Sequence, residues 1–340
     1  MKRVDEKLAR IRAGRYTRQD FIIADAKDGD MGPSLPSTGP KRAPDGSWTR
    51  YRTRPEFLDQ IRAIVEQDVV DIMLMSASNT ELLCEEGLFR RSAVKPAIRA
   101  NDTTDIWVMR GAGYARHPSR PFRSASLART MYGTAAPCPG AEIVGTDLGL
   151  YSITFNNDID ADVASLEAFA AFRADAAACG FTYFLEVFNP NVDTGIALDV
   201  LPHYVNDCIL RCLAGVTKAD RPQFLKIAYN GPKALEELAS FDSSLIVGVL
   251  GGGAGTTRDT FELLHQAERH GARVALFGRK INLAESPLAI VSLMRQVADG
   301  AVAPQEAVKA YHGELQKAGI RPSREFEDDN RITEAALQQG

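Results

Sequence analysis

Eight short apolar runs recur along the chain, and most are followed by residues in helical spacing. Few folds accommodate that alternation. The runs are Phe21–Ala24, Val69–Met75, Val94–Arg99, Leu148–Phe155, Phe181–Phe188, the segment around Lys226, Leu245–Leu250 and Arg273–Arg279. Short apolar runs without polar alternation describe strands buried on both faces, as in a parallel sheet covered by helices. Between them lie helical patterns: Arg54 to Glu66, with Pro55 near its start and Phe57, Ile61 and Ile64 on one face, then 80–89, 163–179, 199–213, a helix opened by Pro232, and one carrying Phe261, Leu264 and Ala267. Two more follow the last strand, one opened by Pro287 and one over 305–318. Strand starts are spaced by roughly 20 to 55 residues, which suits a (β/α)8 barrel with insertions.

The fold class predicted is therefore α/β, a (β/α)8 TIM barrel forming one domain over residues 1–340. It has an N-terminal helix within residues 1–18 (Val4, Leu8, Ile11, closed by Gly14), a long first βα loop over 26–53, and a polar tail over 320–340. A doubly wound sheet is the competitor, but its glycine-rich turn follows the first strand, whereas here the glycines follow the seventh. The long first loop reads as a flexible cover over one end of the fold. Ile106–Met109 is a possible further strand. The segment after it, Gly111 to Pro139, mixes Gly and Pro with Arg116, Arg120, Arg123 and Arg129, and Arg110 directly precedes it. It could bind anions or an oligonucleotide, but a solvated loop or subunit contact is the preferred reading.

Composition narrows the function. Hydrophobic residues make up 45% and charged residues 25%, and the net charge is −4. That is the balance of a globular enzyme, with no basic excess to attract nucleic acid or an anionic membrane. The five cysteines, Cys84, Cys138, Cys179, Cys208 and Cys212, contain no CxxC pair, which points to reduced thiols rather than a disulfide frame. No His, Cys, Asp or Glu set stands at metal-ligand spacing, so neither a metal nor another cofactor is expected. His117, His203, His265, His270 and His312 lack the context of a catalytic triad and are read as structural. A charged N-terminus and the lack of a long apolar run lead to the expectation of a cytoplasmic protein with no membrane span.

Lys226 stands out, because it lies between Leu225 and Ile227 within a buried strand. A lysine there is costly unless it snorkels to water or has a task. Desolvation disfavours the ammonium, and a neutral amine can attack a carbonyl and form a Schiff base. Glu186 has the same standing in the fifth run, either solvated at a strand end or acting as a general acid/base. In a barrel the strand ends converge on one face, which would gather Asp25, Glu186, Lys226, the glycine run from Gly251, and Gly278-Arg279. Gly252 and Gly253 could present backbone amides to a phosphate with no Cβ in the way, and Arg279 could add charge. The alternative is an ordinary flexible turn with a surface arginine.

The Lys226 strand, the Gly251-Gly252-Gly253 turn and the segment Leu276-Phe277-Gly278-Arg279-Lys280-Ile281 together resemble the class I (Schiff-base) aldolase group. That group includes deoxyribose-phosphate, tagatose-bisphosphate, archaeal-type fructose-bisphosphate and sulfofructose-phosphate aldolases, and the likeness is specific from about Phe181 to Gly300. It implies a barrel whose strand-six lysine, Lys226, forms the imine, with Glu186 as proton shuttle. Asp25 would match the acidic residue after strand one and hold Lys226 or a substrate hydroxyl. Gly252, Gly253, Gly278 and Arg279 would match the phosphate-binding turns. The chain departs from the pattern in strand four, which lacks an extra lysine, and in the Asp-Ala-Lys-Asp-Gly-Asp end of strand one. The implied function is a lyase acting on a phosphorylated sugar or keto compound, as a homo-oligomer. Acyl transfer or decarboxylation by the same lysine, and non-catalytic sugar-phosphate binding, are the alternatives.

Overall fold

The computed structural model describes residues 1–43, 47–137 and 140–339. Cys138 and Pro139 at the end of the arginine-rich segment, residues 44–46 of the first loop, and Gly340 lie outside the described residues. Eight parallel strands close into a barrel: β1 (Ile22–Lys27), β2 (Ile72–Met75), β3 (Lys95–Arg99), β4 (Leu148–Thr154), β5 (Thr182–Phe188), β6 (Leu225–Ile227), β7 (Gly248–Leu250) and β8 (Val274–Phe277). Each strand pairs with its sequence neighbours, and β1 closes the ring by pairing with β8 from Ile22↔Val274 to Asp25↔Phe277. The predicted barrel is the observed one.

The period-two geometry of a strand divides its side chains between lumen and helix layer. Ile22, Ala24, Leu74, Ala97, Leu150, Phe184 and Phe224 belong to a core cluster built from the strands, together with Val4 and Leu8 of helix α1 (Arg3–Arg12). That cluster is the barrel interior, and α1 plugs its N-terminal end. Lys7 of α1 fastens the plug, donating to the Phe21 carbonyl at 3.0 Å and pairing with buried Asp71 at 2.9 Å. Ile23, Met73, Ile98, Leu185 and Val249 point the other way, into the larger cluster shared with the helices.

The helices outside the barrel are α2 (Arg54–Gln67), α3 (Ala77–Glu85), α4 (Leu127–Tyr132), α5 (Ile159–Cys179), α6 (Leu201–Ala214), α7 (Pro232–Phe241), α8 (Thr257–Arg269), the short α9 (Arg279–Asn282), α10 (Pro287–Ala298), α11 (Pro304–Lys317) and the short α12 (Phe326–Asp329). Helix α3 starts three residues before the predicted 80–89 because the Ser76 side chain accepts from the Asn79 amide and caps it. No helix among the described residues is long and apolar enough to cross a membrane.

One segment differs from expectation, and two others carry structure that their composition does not announce. Ile106–Met109 is not a strand, because β3 and β4 already pair directly (Ile98↔Gly149) and leave no gap in the ring. Instead Trp107 stacks on Tyr114 at 4.7 Å and contacts Phe122 at 5.3 Å, above a minimal antiparallel pair of Asp102–Thr103 with Pro121–Phe122. The first loop contains two 3-10 turns, Gly29–Met31 and Leu35–Thr38, and a hairpin of Pro40–Arg42 with Trp48–Tyr51.

The polar tail is docked on α8. Asp329 accepts from the Thr257 amide at 2.9 Å, Asp259 accepts from the Thr333 amide at 2.8 Å, and Leu337 is buried. Leu337→Ala should therefore cost about 2–5 kcal/mol of stability, the range for emptying a buried leucine site, as read by urea unfolding.

Candidate active site

At the C-terminal end of the barrel the lumen changes from apolar to charged. Phe184 and Phe224 face inward, so Glu186 and Lys226, two residues further on the same strands, face inward as well. The β5–β6 register sets these two directly opposite each other. Lys226 Nζ lies 2.5 Å from Glu186 Oε1, and the residues are only 6% and 1% exposed. The same row continues to β4, where Ser152 is the register partner of Glu186. Ser152 Oγ donates to Glu186 Oε2 at 2.7 Å. Asn101 holds that serine from both sides, donating to its carbonyl at 2.9 Å and accepting from its amide at 2.6 Å.

A second cation completes the group. Arg99, at the end of β3 and on the lumen side with Ala97, spreads its guanidinium over three partners. Nε donates to Asp28 Oδ2 at 2.6 Å, Nη1 to Ser152 Oγ at 2.9 Å and Nη2 to Glu186 Oε2 at 3.2 Å. Two buried carboxylates thus face two buried cations, and such a set is tolerable only because every charge is paired. Burial alone would raise the Asp28 carboxyl, but the charges of Arg99 and Lys226 bring it below the usual carboxylate range. Burial opposes the charge on Arg99, and Asp28 and Glu186 more than offset it, holding the guanidinium above its ordinary value. A buried amine touching one oxygen of a fixed carboxylate has a proton acceptor already in place.

Asp25 is not brought to this group. Ile23, Asp25 and Lys27 share the helix-facing side of β1, and Asp25 pairs there with Lys27 at 2.9 Å, both side chains fully buried. Burial raises the Asp25 carboxyl despite the lysine beside it. The expectation of convergence with Lys226 is corrected by strand parity, and the carboxylate that does reach the site is Asp28, just past the strand end. Asp28, Arg99 and Ser152 were not singled out from the sequence. The signal for Arg99 was its position two residues after inward-facing Ala97. The signal against Asp25 was Lys27, two residues on and hence on the same face.

The glycine-rich turn abuts the end of β8: a Cβ on Gly251 would come within 3.0 Å of Phe277 Cδ1. Gly252, at φ +63°, is left-handed, and a Cβ on Gly252 or Gly253 would meet nothing within 4 Å. Gly278 sits close under β1, where a Cβ would lie 3.0 Å from the Ala26 carbonyl oxygen. Arg279, the first residue of α9, is exposed, whereas Lys280 is buried against Glu334 of the tail at 2.7 Å. The two turns are therefore neighbours, with Arg279 at their solvent edge. Among the described residues no group of three or more His, Cys, Asp or Glu is placed to hold a metal ion.

No protein-family model and no curated protein matches the sequence. Solved structures do match the fold. An archaeal fructose 1,6-bisphosphate aldolase superposes with a TM-score of 0.59 at 16% identity, covering 87% of this chain and 99% of that one. A Schiff-base-forming fructose-1,6-bisphosphate aldolase gives 0.60 at 16% identity over 88% and 100%. The fructose-bisphosphate aldolase of Slackia heliotrinireducens gives 0.63 at 13% identity over 92% and 91%. At these identities the likeness is one of fold.

Proposed function

We propose that the chain is a class I aldolase, a carbon–carbon lyase in which Lys226 forms a Schiff base with a phosphorylated sugar or keto compound. The observation that carries this reading is the buried contact of Lys226 Nζ with Glu186 Oε1 at 2.5 Å, at the barrel end where strand termini converge. Support comes from the structural neighbours, one of which is described as having its catalytic lysine covalently bound to a carbinolamine intermediate of the substrate.

In this mechanism the neutral Lys226 amine adds to the ketone carbon, and the carbonyl oxygen takes a proton, giving a carbinolamine. Loss of water yields the iminium. Removal of the proton from the hydroxyl two carbons from the iminium carbon then breaks the adjacent carbon–carbon bond. An aldehyde leaves, and the bonding electrons flow into the iminium as an enamine. Protonation of the enamine carbon and hydrolysis free the ketone and regenerate the amine. Glu186 Oε1, already against Nζ, is the group assigned to accept and return these protons.

The backbone amides around Gly252, Gly253 and Gly278 are assigned to the substrate phosphate, with Arg279 adding charge from the rim. Arg279→Ala is then expected to raise KM for a phosphorylated substrate about tenfold to a hundredfold and leave imine formation with unphosphorylated ketones intact. Unchanged KM would remove Arg279 from the phosphate site. The reading as a whole is tested by incubation with fructose 1,6-bisphosphate and related phosphorylated ketoses and analysis of products. An aldehyde and a ketone are expected; an acyl ester or carbon dioxide would move the chemistry to acyl transfer or decarboxylation. A homo-oligomer is the proposed assembly, to be read by light scattering.

A further inference from the structure

The geometry points to Arg99 as a positioning residue that acts on Lys226 through Glu186, as a fixed cation between Asp28 and Glu186. The inference rests on the reading of Lys226 as the imine-forming lysine and deepens it.

A guanidinium sunk in a barrel lumen is costly, and nothing in the closure of the ring requires one at the end of β3. What Arg99 does is partition a carboxylate. Glu186 Oε2 is occupied by Arg99 Nη2 at 3.2 Å and by Ser152 Oγ at 2.7 Å, and Oε1 faces Lys226. With one oxygen held twice, the carboxylate cannot rotate to share its charge, and the other oxygen stays against Nζ. Ser152 is itself set by Arg99 Nη1 and by Asn101, so the holding group is rigid.

The further charged groups beside the pair come from the β1 and β3 side of the mouth. Arg99 faces it from β3, and Asp28 from the segment after β1. Asp102 lies beside Arg99, bonded to Ser124 and pushed up by burial. Asp28 tempers the arginine, and because it belongs to the first loop, the placement of that loop sets how much of the Arg99 charge reaches Glu186 and Lys226.

The test needs no knowledge of the substrate. Lys226 is reductively methylated with formaldehyde and cyanoborohydride across a pH series, and the rate is read on the Lys226 peptide by mass spectrometry. Arg99→Met removes a cation near the ammonium and should move the rate profile to higher pH by about one unit or more. Asp28→Asn removes an anion and should move it to lower pH. Arg99→Lys keeps the charge and should leave the profile within about half a unit of the parent. Opposite displacements by the two neutralising variants support the proposal. Displacements of the same sign, or none, overturn it. Should Arg99→Met fail to fold by circular dichroism, Arg99→Gln takes its place, with the same displacement to higher pH expected. Failure of the parent protein to form a borohydride-stable adduct with dihydroxyacetone phosphate would count against the aldolase reading and leave the formaldehyde result standing. A normal adduct with an unmoved profile would sink the Arg99 proposal alone.

Discussion

Glu186→Gln is expected to slow turnover of a phosphorylated ketose by roughly 10²–10⁴, the usual share of a positioned general acid/base. The amide keeps the shape of the carboxylate, so the contacts of Oε2 with Arg99 and Ser152 can be kept through the amide oxygen. What is lost is the basic oxygen beside Nζ. The change leaves the Lys226 amine itself in place, so its attack on a carbonyl needs no group that the substitution removes. Trapping by borohydride should therefore persist while proton transfers slow, so that turnover falls without loss of the covalent adduct. Turnover within twofold of the parent would remove Glu186 from the proton path and leave it a structural partner of Arg99.

Much of the barrel was legible because strands buried on both faces leave a plain apolar signature. The eight runs and the eight strands agree to within a few residues, and the coupling of Glu186 with Lys226 was foreseeable from their inward positions on neighbouring strands. The face of β1 was also written in the sequence, in the Asp25-Ala26-Lys27 spacing that pairs two charges in the helix layer. Asp25 directly follows the first apolar run, and strand-end convergence without strand parity places it at the site.

Arg99 and Asp28 were harder to see, since their partnership joins residues 71 apart that carry no mutual pattern. The docked tail was illegible for another reason. Polar contacts hold much of it, Asp259 and Asp329 accepting from backbone amides among them, and Leu337 is the one fully buried apolar side chain among its described residues, so no apolar periodicity announces it. The aromatic group of Trp107, Tyr114 and Phe122 was half-visible as a short apolar run, and only ring closure between β3 and β4 rules out a strand there.

Lys226→Ala is expected to abolish turnover. An imine mechanism has no substitute for the amine, and among the described residues no other lysine belongs to the charged group at this end of the lumen: Lys27 faces the helix layer, and Lys280 is paired with Glu334. The fold should survive, because Glu186 keeps Arg99 and Ser152 as partners and is not left as an unpaired buried charge. The direct measurement is borohydride reduction in the presence of dihydroxyacetone phosphate or fructose 1,6-bisphosphate, followed by peptide mapping. One covalent adduct is expected, on the peptide that contains Lys226 and absent from Lys226→Ala. An adduct on another lysine, or full activity in Lys226→Ala, would contradict it.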